Sequence, residues 1–125
     1  MGQGQNTVGG NVAIISPHVR AIENAHEYLG LSYQKLAEAI KADESTLHRW
    51  RSGAEPSPVF AARLEALGEF IVELKETFRR PHDAREWLET KVPPLKGRRP
   101  IDLIGESRLE VLTGLLYALN SGMAT

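Results

Sequence analysis

The sequence predicts an all-α protein of about seven helices, with an N-terminal helix-turn-helix bundle packed on a C-terminal helical module. Helix caps and stop residues recur after Val12, apolar residues recur at spacings of three and four, and no useful alternating strand pattern occurs. We expect a disordered tail (residues 1–11), a helix-turn-helix DNA-binding region (residues 12–56) and a second module (residues 57–125).

Composition bounds the class of protein. The chain has 125 residues, 42% of them hydrophobic, and a formal net charge of -1. It therefore has enough apolar residues for a core but lacks a strongly basic nucleic-acid coat. The absence of cysteine excludes disulfides and thiolate chemistry and suits a reducing cytoplasm. No apolar run approaches the roughly 20 residues that a membrane helix needs, and the Gly-rich start lacks the apolar core of a signal peptide.

The first predicted helix begins at a Ser16 cap followed by Pro17 and ends at Gly30, a common C-terminal stop. The second runs from a Ser32 cap to about Ile40. The third runs from a cap at Asp43 or Glu44 to about Ser52, before Gly53.

A long fourth helix is predicted from the Ser57–Pro58 start. Its apolar residues follow steps of four and three and form one continuous stripe: Phe60, Leu64, Leu67, Ile71, Leu74 and Phe78. Such a stripe is typical of a core helix. It also suits packing against a second copy of the chain, although it is short for a coiled coil. Both alternatives stay open at this stage.

The C-terminal third begins with Pro81, a short helix bearing Trp87, and a Pro-rich loop. Pro100 is expected to start one turn of helix through Ile104, with Asp102 bracing it. The last helix is predicted from a capping box formed by Ser107 and Glu110, and Gly122 is expected to stop it.

The segment LAEAIKADESTLHRWRSG, residues 36–53, carries the helix-turn-helix signal. Leu36, Ala37, Ile40, Leu47 and Trp50 are expected to face inward. The remaining side chains suit a DNA groove because Arg can bond guanine and Ser or Thr can bond phosphates. The candidate DNA-binding residues are Glu44, Ser45, Thr46, His48, Arg49, Arg51 and Ser52. The alternative is a helical corner that only holds the bundle together.

This segment resembles the helix-turn-helix of phage-repressor-like Xre regulators. It departs from them at Lys41, a turn position where that family usually has Gly, and at the acidic Asp43 and Glu44. Because phosphate neutralisation drives most DNA affinity, this nearly neutral region predicts weak binding by a single copy.

The C-terminal segment WLETKVPPLKGRRPIDLIGESRLEVLTGLLYALNSG carries a second resemblance. It is similar to the toxin-binding domain of the Xre/MbcA/ParS antitoxin family. The resemblance covers roughly residues 63–125. The matching residues are Trp87, Leu88, Leu95, Gly97, Pro100, Ile101, Asp102, Leu103, Ile104, Leu115 and Gly122.

The resemblance implies an antitoxin that closes the active site of a RES-domain toxin, an enzyme that degrades NAD or modifies proteins with ADP-ribose. It also implies a homodimer that represses its own operon. The toxin-binding residues that we infer are Trp87, Lys96, Arg98 and Arg99, together with the end of the chain: Asn120, Ser121, Gly122, Met123, Ala124 and Thr125. The alternatives are that Trp87 is a core residue under the loop and that Lys96, Arg98 and Arg99 only form a solvated charged surface.

An enzyme is not expected. The four histidines form neither a His-x-x-x-His pair nor a metal-ligand cluster with carboxylates, and no phosphate-binding Gly-rich loop occurs. We therefore predict no cofactor and no metal. The other readings that we keep are a stand-alone dimeric helix-turn-helix regulator and an adaptor that does not bind DNA.

Overall fold

The computed structural model describes residues 16–122. Within that part of the chain every regular element is a helix, apart from one isolated bridge between Val92 and Arg98, so the all-α prediction is confirmed. None of the described helices is both long and apolar enough to span a bilayer. The α-helices are α1 (Pro17–Leu29), α2 (Tyr33–Ala39), α3 (Glu44–Arg51), α4 (Pro58–Thr77), α5 (Pro81–Leu88), α6 (Pro100–Gly105) and α7 (Leu109–Asn120), and a 3-10 turn, Pro93–Leu95, precedes α6.

Serine caps set three of the helix starts, as predicted. The Ser16 hydroxyl accepts a hydrogen bond from the Val19 amide at 3.1 Å. Ser32 and Ser57 do the same at the starts of α2 and α4. Such caps satisfy amides that have no partner inside the helix. Asp43 is the N-cap of α3, but its side chain makes no capping bond.

The apolar stripe of α4 lies in the core of this chain. Leu64, Leu67, Ile71 and Leu74 are at most 3% exposed, and α1 and α7 pack on the same helix. One continuous cluster of buried side chains includes residues from all seven helices. The stripe is therefore a core feature, and it is not available for pairing with a second copy.

The two halves of the chain meet where α1 packs on α4 and where α6 packs on α2. Here the sequence prediction for α7 is wrong: its N-cap is Arg108, and Ser107 and Glu110 form no capping box. Ser107 instead has a φ of 60° and its hydroxyl donates to the Ala39 carbonyl at 2.7 Å. Because α6 continues to Gly105, Ser107 is needed to end that helix and cannot start the next one.

The helices α2 and α6 both end in a Schellman motif, in which a residue in the left-handed region closes the helix. After α2 that residue is Lys41, with a φ of 59°. The Ala42 amide donates to the Ala37 carbonyl at 2.9 Å, and the Lys41 amide donates to Glu38 at 3.2 Å. The turn thus adopts the conformation that Gly usually provides, at a cost in backbone strain.

Candidate DNA-reading and partner-binding surfaces

The helices α2 and α3 form the predicted pair around a buried contact. Leu36, Ile40 and Leu47 are fully buried, and Ala37 is 2% exposed. Trp50 is 4% exposed and its ring packs against Phe60, with 5.2 Å between ring centroids. Trp50 is therefore a core residue and not a platform for stacking bases.

The outer face of α3 carries most of the candidate DNA-binding residues. Glu44, Ser45, Arg49 and Ser52 are exposed, while Thr46 and His48 are half-buried. Ser45, His48, Arg49, Ser52 and Ala54 line a shallow open hollow. The one side-chain contact of Arg49 within the described residues is a 3.4 Å bond to the Thr46 hydroxyl, so its guanidinium is available to a ligand.

Arg51 is turned away from that hollow towards α1. Its Nε lies 2.5 Å from Glu23 Oε2, and its guanidinium carbon lies 4.1 Å from the centroid of the Tyr33 ring. The Tyr33 hydroxyl donates to the other Glu23 oxygen at 2.9 Å. Arg51 Nη1 is 3.1 Å from His48 Nδ1. These contacts make Arg51 a brace between α1, α2 and α3, which the sequence analysis did not foresee.

Electrostatics in this brace favour a charged Glu23. Burial alone raises the pKa of Glu23, but hydrogen bonds from Arg51 and Tyr33 and the positive charge of Arg51 outweigh burial and lower the pKa below its ordinary value. The brace uses one of the two arginines of α3. On the outer face Arg49 is accompanied by the acidic Glu44, which lies 3.4 Å from His48 Nε2. This face is therefore polar but close to neutral.

Two of the candidate toxin-binding arginines are also bound within the chain. Arg98 makes a two-point ion pair with Glu106. Arg99 bonds Asp102 at 3.0 Å and Glu89 at 2.8 Å. The hydrogen bond from Arg99 lowers the pKa of Asp102, and the one from Arg98 lowers the pKa of Glu106. The predicted bracing role of Asp102 is confirmed, because it also accepts from the Arg99 amide at 3.3 Å.

The other two candidate toxin-binding residues of this region are Lys96, in the loop, and Trp87, on α5. Lys96 is exposed, with a φ of 60°, on a hollow of about 210 Å³ whose wall includes Leu95, Arg98 and Arg108. Trp87 is half-buried and packs on Phe78, with 5.6 Å between ring centroids. The loop is therefore a folded part of the module, in which Lys96 is directed to solvent.

The end of α7 is anchored to the end of α4. Asn120 Nδ2 donates to Glu73 Oε1 at 2.9 Å, and the Thr77 hydroxyl donates to Asn120 Oδ1 at 2.8 Å. Ser121 is exposed, and Gly122 follows with a φ of 75°. The remaining predicted binding residues, Met123, Ala124 and Thr125, lie outside the described residues.

One cluster contradicts the expectation of no metal-ligand spacing. Ligand atoms of His82, Asp83 and Glu86 on α5 all lie within 4.8 Å of one another. They lie on a single helical turn, and only one of the three is a histidine, so the His-x-x-x-His pattern does not detect them. His82 and Glu86 are exposed, and Asp83 is paired with Arg80 at 3.2 Å, so the cluster is part of a solvated ionic surface.

No protein-family model matches the chain. The chain is 26% identical over 103 residues to the mycobacterial cidal antitoxin MbcA of Mycobacterium bovis, an alignment that covers 82% of this chain and 90% of MbcA. MbcA of Mycobacterium tuberculosis gives the same values. A probable mycobacterial cidal antitoxin of M. tuberculosis is 28% identical over 89 residues, which cover 71% of this chain and 76% of that protein.

A solved structure shares the fold. It is a chain in the crystal structure of the M. tuberculosis MbcT–MbcA toxin–antitoxin complex, with a TM-score of 0.65 and 23% identity. The alignment covers 88% of this chain and 99% of that chain. This chain is thus similar along most of its length to mycobacterial cidal antitoxins, and it has the fold of a chain from a toxin–antitoxin complex.

Proposed function

We propose that this chain is the antitoxin of a type II toxin–antitoxin pair and that it neutralises its toxin by binding it. The observation that carries the proposal is the similarity to MbcA, which extends over most of both chains and is not confined to one motif. Neutralisation by binding needs a shaped surface and no catalytic group, so the proposed role is that of a binding protein and not of an enzyme.

The proposed partner is a RES-domain toxin that consumes NAD or transfers ADP-ribose. Support comes from the loop that carries the family-like residues Gly97, Pro100 and Asp102. Those residues are used structurally here, since Gly97 has a φ of 79° and Asp102 braces Arg99. The fold of the loop thus gives a structural reason for the spacing of Gly97, Pro100 and Asp102. The class of toxin is inferred from the resemblance to the Xre/MbcA/ParS antitoxin family.

The proposed mechanism is occlusion of the toxin's active site by the C-terminal end. Asn120 is tied to α4 by its bonds to Glu73 and Thr77, so the point where the tail leaves the helix is fixed. A short tail that leaves a fixed point pays a small ordering cost on binding. Lys96 and Trp87 belong to the same module, and we propose that they make further contacts with the toxin.

Truncation tests the occlusion mechanism. A chain that ends at Ser121 lacks residues 122–125 but keeps the Asn120 anchor. We expect it to bind the toxin encoded beside it more weakly and to leave toxin activity partly restored. An equal truncation that removes residues 1–4 is the control. Undiminished inhibition by the C-terminally shortened chain would show that the tail does not block the site.

We also propose that the N-terminal half binds the promoter of its own operon as a homodimer. The exposed side chains of Ser45 and Arg49 on α3, and of Ser52 directly after it, support this, since they lie on the outer face of the predicted helix-turn-helix. Two copies on one duplex would compensate for the neutral charge. A gel shift with the promoter at several salt concentrations tests this, because true phosphate contacts weaken steeply as salt rises.

The alternative of a stand-alone regulator that dimerises through its C-terminal half has less support. The long stripe of α4 that suggested such a dimer is occupied by the chain's own core. The homodimer that we propose for DNA binding therefore needs another surface. Cytoplasmic action is part of the proposal, since both partners, promoter and toxin, would be met there.

A further inference from the structure

A groove between the C-terminal ends of α4 and α7 carries apolar side chains that the fold leaves uncovered. The anchor between Asn120 and Glu73 joins the C-terminal ends of the two helices. Val72 is 57% exposed and Tyr117 is 63% exposed, and both line the groove. The other lining residues are Glu73, Glu76, Asn120 and Ser121. We call this set the α4–α7 groove.

The surface around the groove is acidic. One and two turns earlier, the exposed face of α4 carries Glu69 and Glu65, and the exposed face of α7 carries Glu110. The helix α7 contains no lysine or arginine, and the two cations of α4 are used elsewhere. Arg63 donates to the Ile40 carbonyl, and Lys75 lies 5.2 Å from the Tyr28 ring. The groove itself thus holds two glutamates, Glu73 and Glu76. Three more lie one or two turns earlier on the same two helices, and of these Glu65 is 3.7 Å from His18 Nε2.

This charge pattern argues against a second copy of the chain as the occupant. A twofold pairing of this face would place one row of glutamates against the same row of its partner, and like charges across an interface are unfavourable. A segment that carries lysine or arginine next to an apolar side chain would complement both the carboxylates and the exposed apolar side chains of the groove. The carboxylates would attract the cations, and the gap between Val72 and Tyr117 would take the apolar group.

The groove also lies beside the point where the tail leaves α7. Ser121 lines the groove, and Gly122 is the next residue. A protein held by the tail would therefore lie over the groove. We propose that the α4–α7 groove is a docking surface for a basic, apolar-tipped segment of the partner toxin, an inference that rests on the proposed antitoxin function. Tyr117 is the anchor of this contact, since exposed aromatic side chains dominate many protein interfaces.

The test uses the full chain and the toxin encoded beside it, with affinity measured by calorimetry at two salt concentrations. Tyr117→Ala is expected to weaken binding roughly 30-fold, the loss typical of an interface anchor. Val72→Arg is expected to weaken it by a similar factor. The double variant Glu69→Lys/Glu76→Lys is expected to slow association and to reduce the salt dependence of binding.

Val59→Arg is the matched control. Val59 is 59% exposed on the same helix but lies at its N-terminal end, far from the groove. It is expected to bind as the unchanged chain does. Because Val72 and Val59 are equally exposed, circular dichroism and melting should be unaffected in both variants, and a loss of binding by Val72→Arg alone then reports on the groove.

The outcomes separate this inference from the proposed function. If the unchanged chain does not bind or inhibit the toxin, the antitoxin proposal fails. If the unchanged chain binds and Val72→Arg and Tyr117→Ala bind equally well, the antitoxin proposal stands and the groove proposal is overturned. If Val72→Arg converts a dimer to a monomer without changing toxin affinity, the groove is a contact between copies, which also overturns the proposal.

Discussion

Replacement of Lys41 by glycine should stabilise the protein, because Lys41 ends α2 in the left-handed region with a φ of 59°. That conformation costs a side-chain-bearing residue roughly 1–2 kcal/mol. Glycine removes this strain, but it also gives the unfolded chain more freedom, which returns roughly 0.4–1 kcal/mol. Lys41 is exposed, and both Schellman hydrogen bonds use backbone atoms that glycine keeps. The net gain should be roughly 0.5–1 kcal/mol, a rise in Tm of about 3 °C for a chain of this size.

Ser107→Gly is the comparison that makes this reasoning specific. Ser107 has the same strained φ, 60°, but its hydroxyl donates to the Ala39 carbonyl at 2.7 Å across the junction between α6 and α2. Glycine at this position relieves strain and loses a bond of roughly 1 kcal/mol, so the variant should be near neutral or less stable. The assay is thermal and urea unfolding followed by circular dichroism. If Lys41→Gly has an unchanged or lower Tm, the strain at the turn is not real and the reasoning is refuted.

Three further predictions concern the Arg51 brace, the outer face of α3 and the C-terminal end of α1. Glu23→Gln should lower the free energy of unfolding by about 1 kcal/mol near neutral pH. The pKa of Glu23 is lower in the folded chain than in the unfolded chain, so the folded chain binds fewer protons at acidic pH. The stability that Glu23 contributes is therefore present above its ordinary pKa of 4.5 and is lost as the pH falls through the folded pKa. The free energy of unfolding of Glu23→Gln should accordingly change less with pH in the acidic range. Arg49→Ala should weaken promoter binding in a gel shift by about 1–3 kcal/mol and leave the Tm unchanged. Arg51→Ala should instead lower the free energy of unfolding in urea by about 1 kcal/mol. If Arg51→Ala weakens promoter binding and leaves stability unchanged, Arg51 contacts DNA and the brace is contradicted. Arg85→Ala should lower the Tm by roughly 2–4 °C, because Arg85 donates to the Tyr28 and Glu27 carbonyls at the end of α1, and an unchanged Tm would contradict a capping role.

Local signals in the sequence predicted the helices well. Serine caps and the helix-ending Gly30 interact with residues only three or four positions away, so the sequence alone is enough to predict them. The spacing of three and four residues between the apolar side chains of α4 equally predicted a helix with one apolar face. Whether it met the chain's own helices or a second copy depended on how α1 and α7 fold over it, and no local pattern contains that information.

Long-range contacts explain the residues that sequence reasoning misplaced. Arg51 has a groove-compatible side chain at a groove-compatible position, but Glu23 lies 28 positions earlier and is brought beside it only because α1 and α3 both pack on α2. Ser107 precedes a glutamate at capping-box spacing, but its hydroxyl meets Ala39, 68 positions away. In both cases a tertiary partner outcompetes the local role.

The α4–α7 groove had a weak signal that the sequence analysis did not use. Val72 and Tyr117 fall outside the apolar stripes of their helices, on faces that are otherwise polar or acidic. A single exposed apolar residue is ordinary on a folded protein. Only the packing of α4 on α7 places these two on one surface, beside the end of the described chain.

The most direct test of the central claim is a mixing experiment with the toxin encoded beside this chain. The purified chain and toxin are combined, separated by gel filtration, and the toxin's NAD consumption or ADP-ribose transfer is measured in the same fractions. We predict that the two proteins elute together and that the activity of the toxin is lost. Separate elution with full toxin activity would contradict the account.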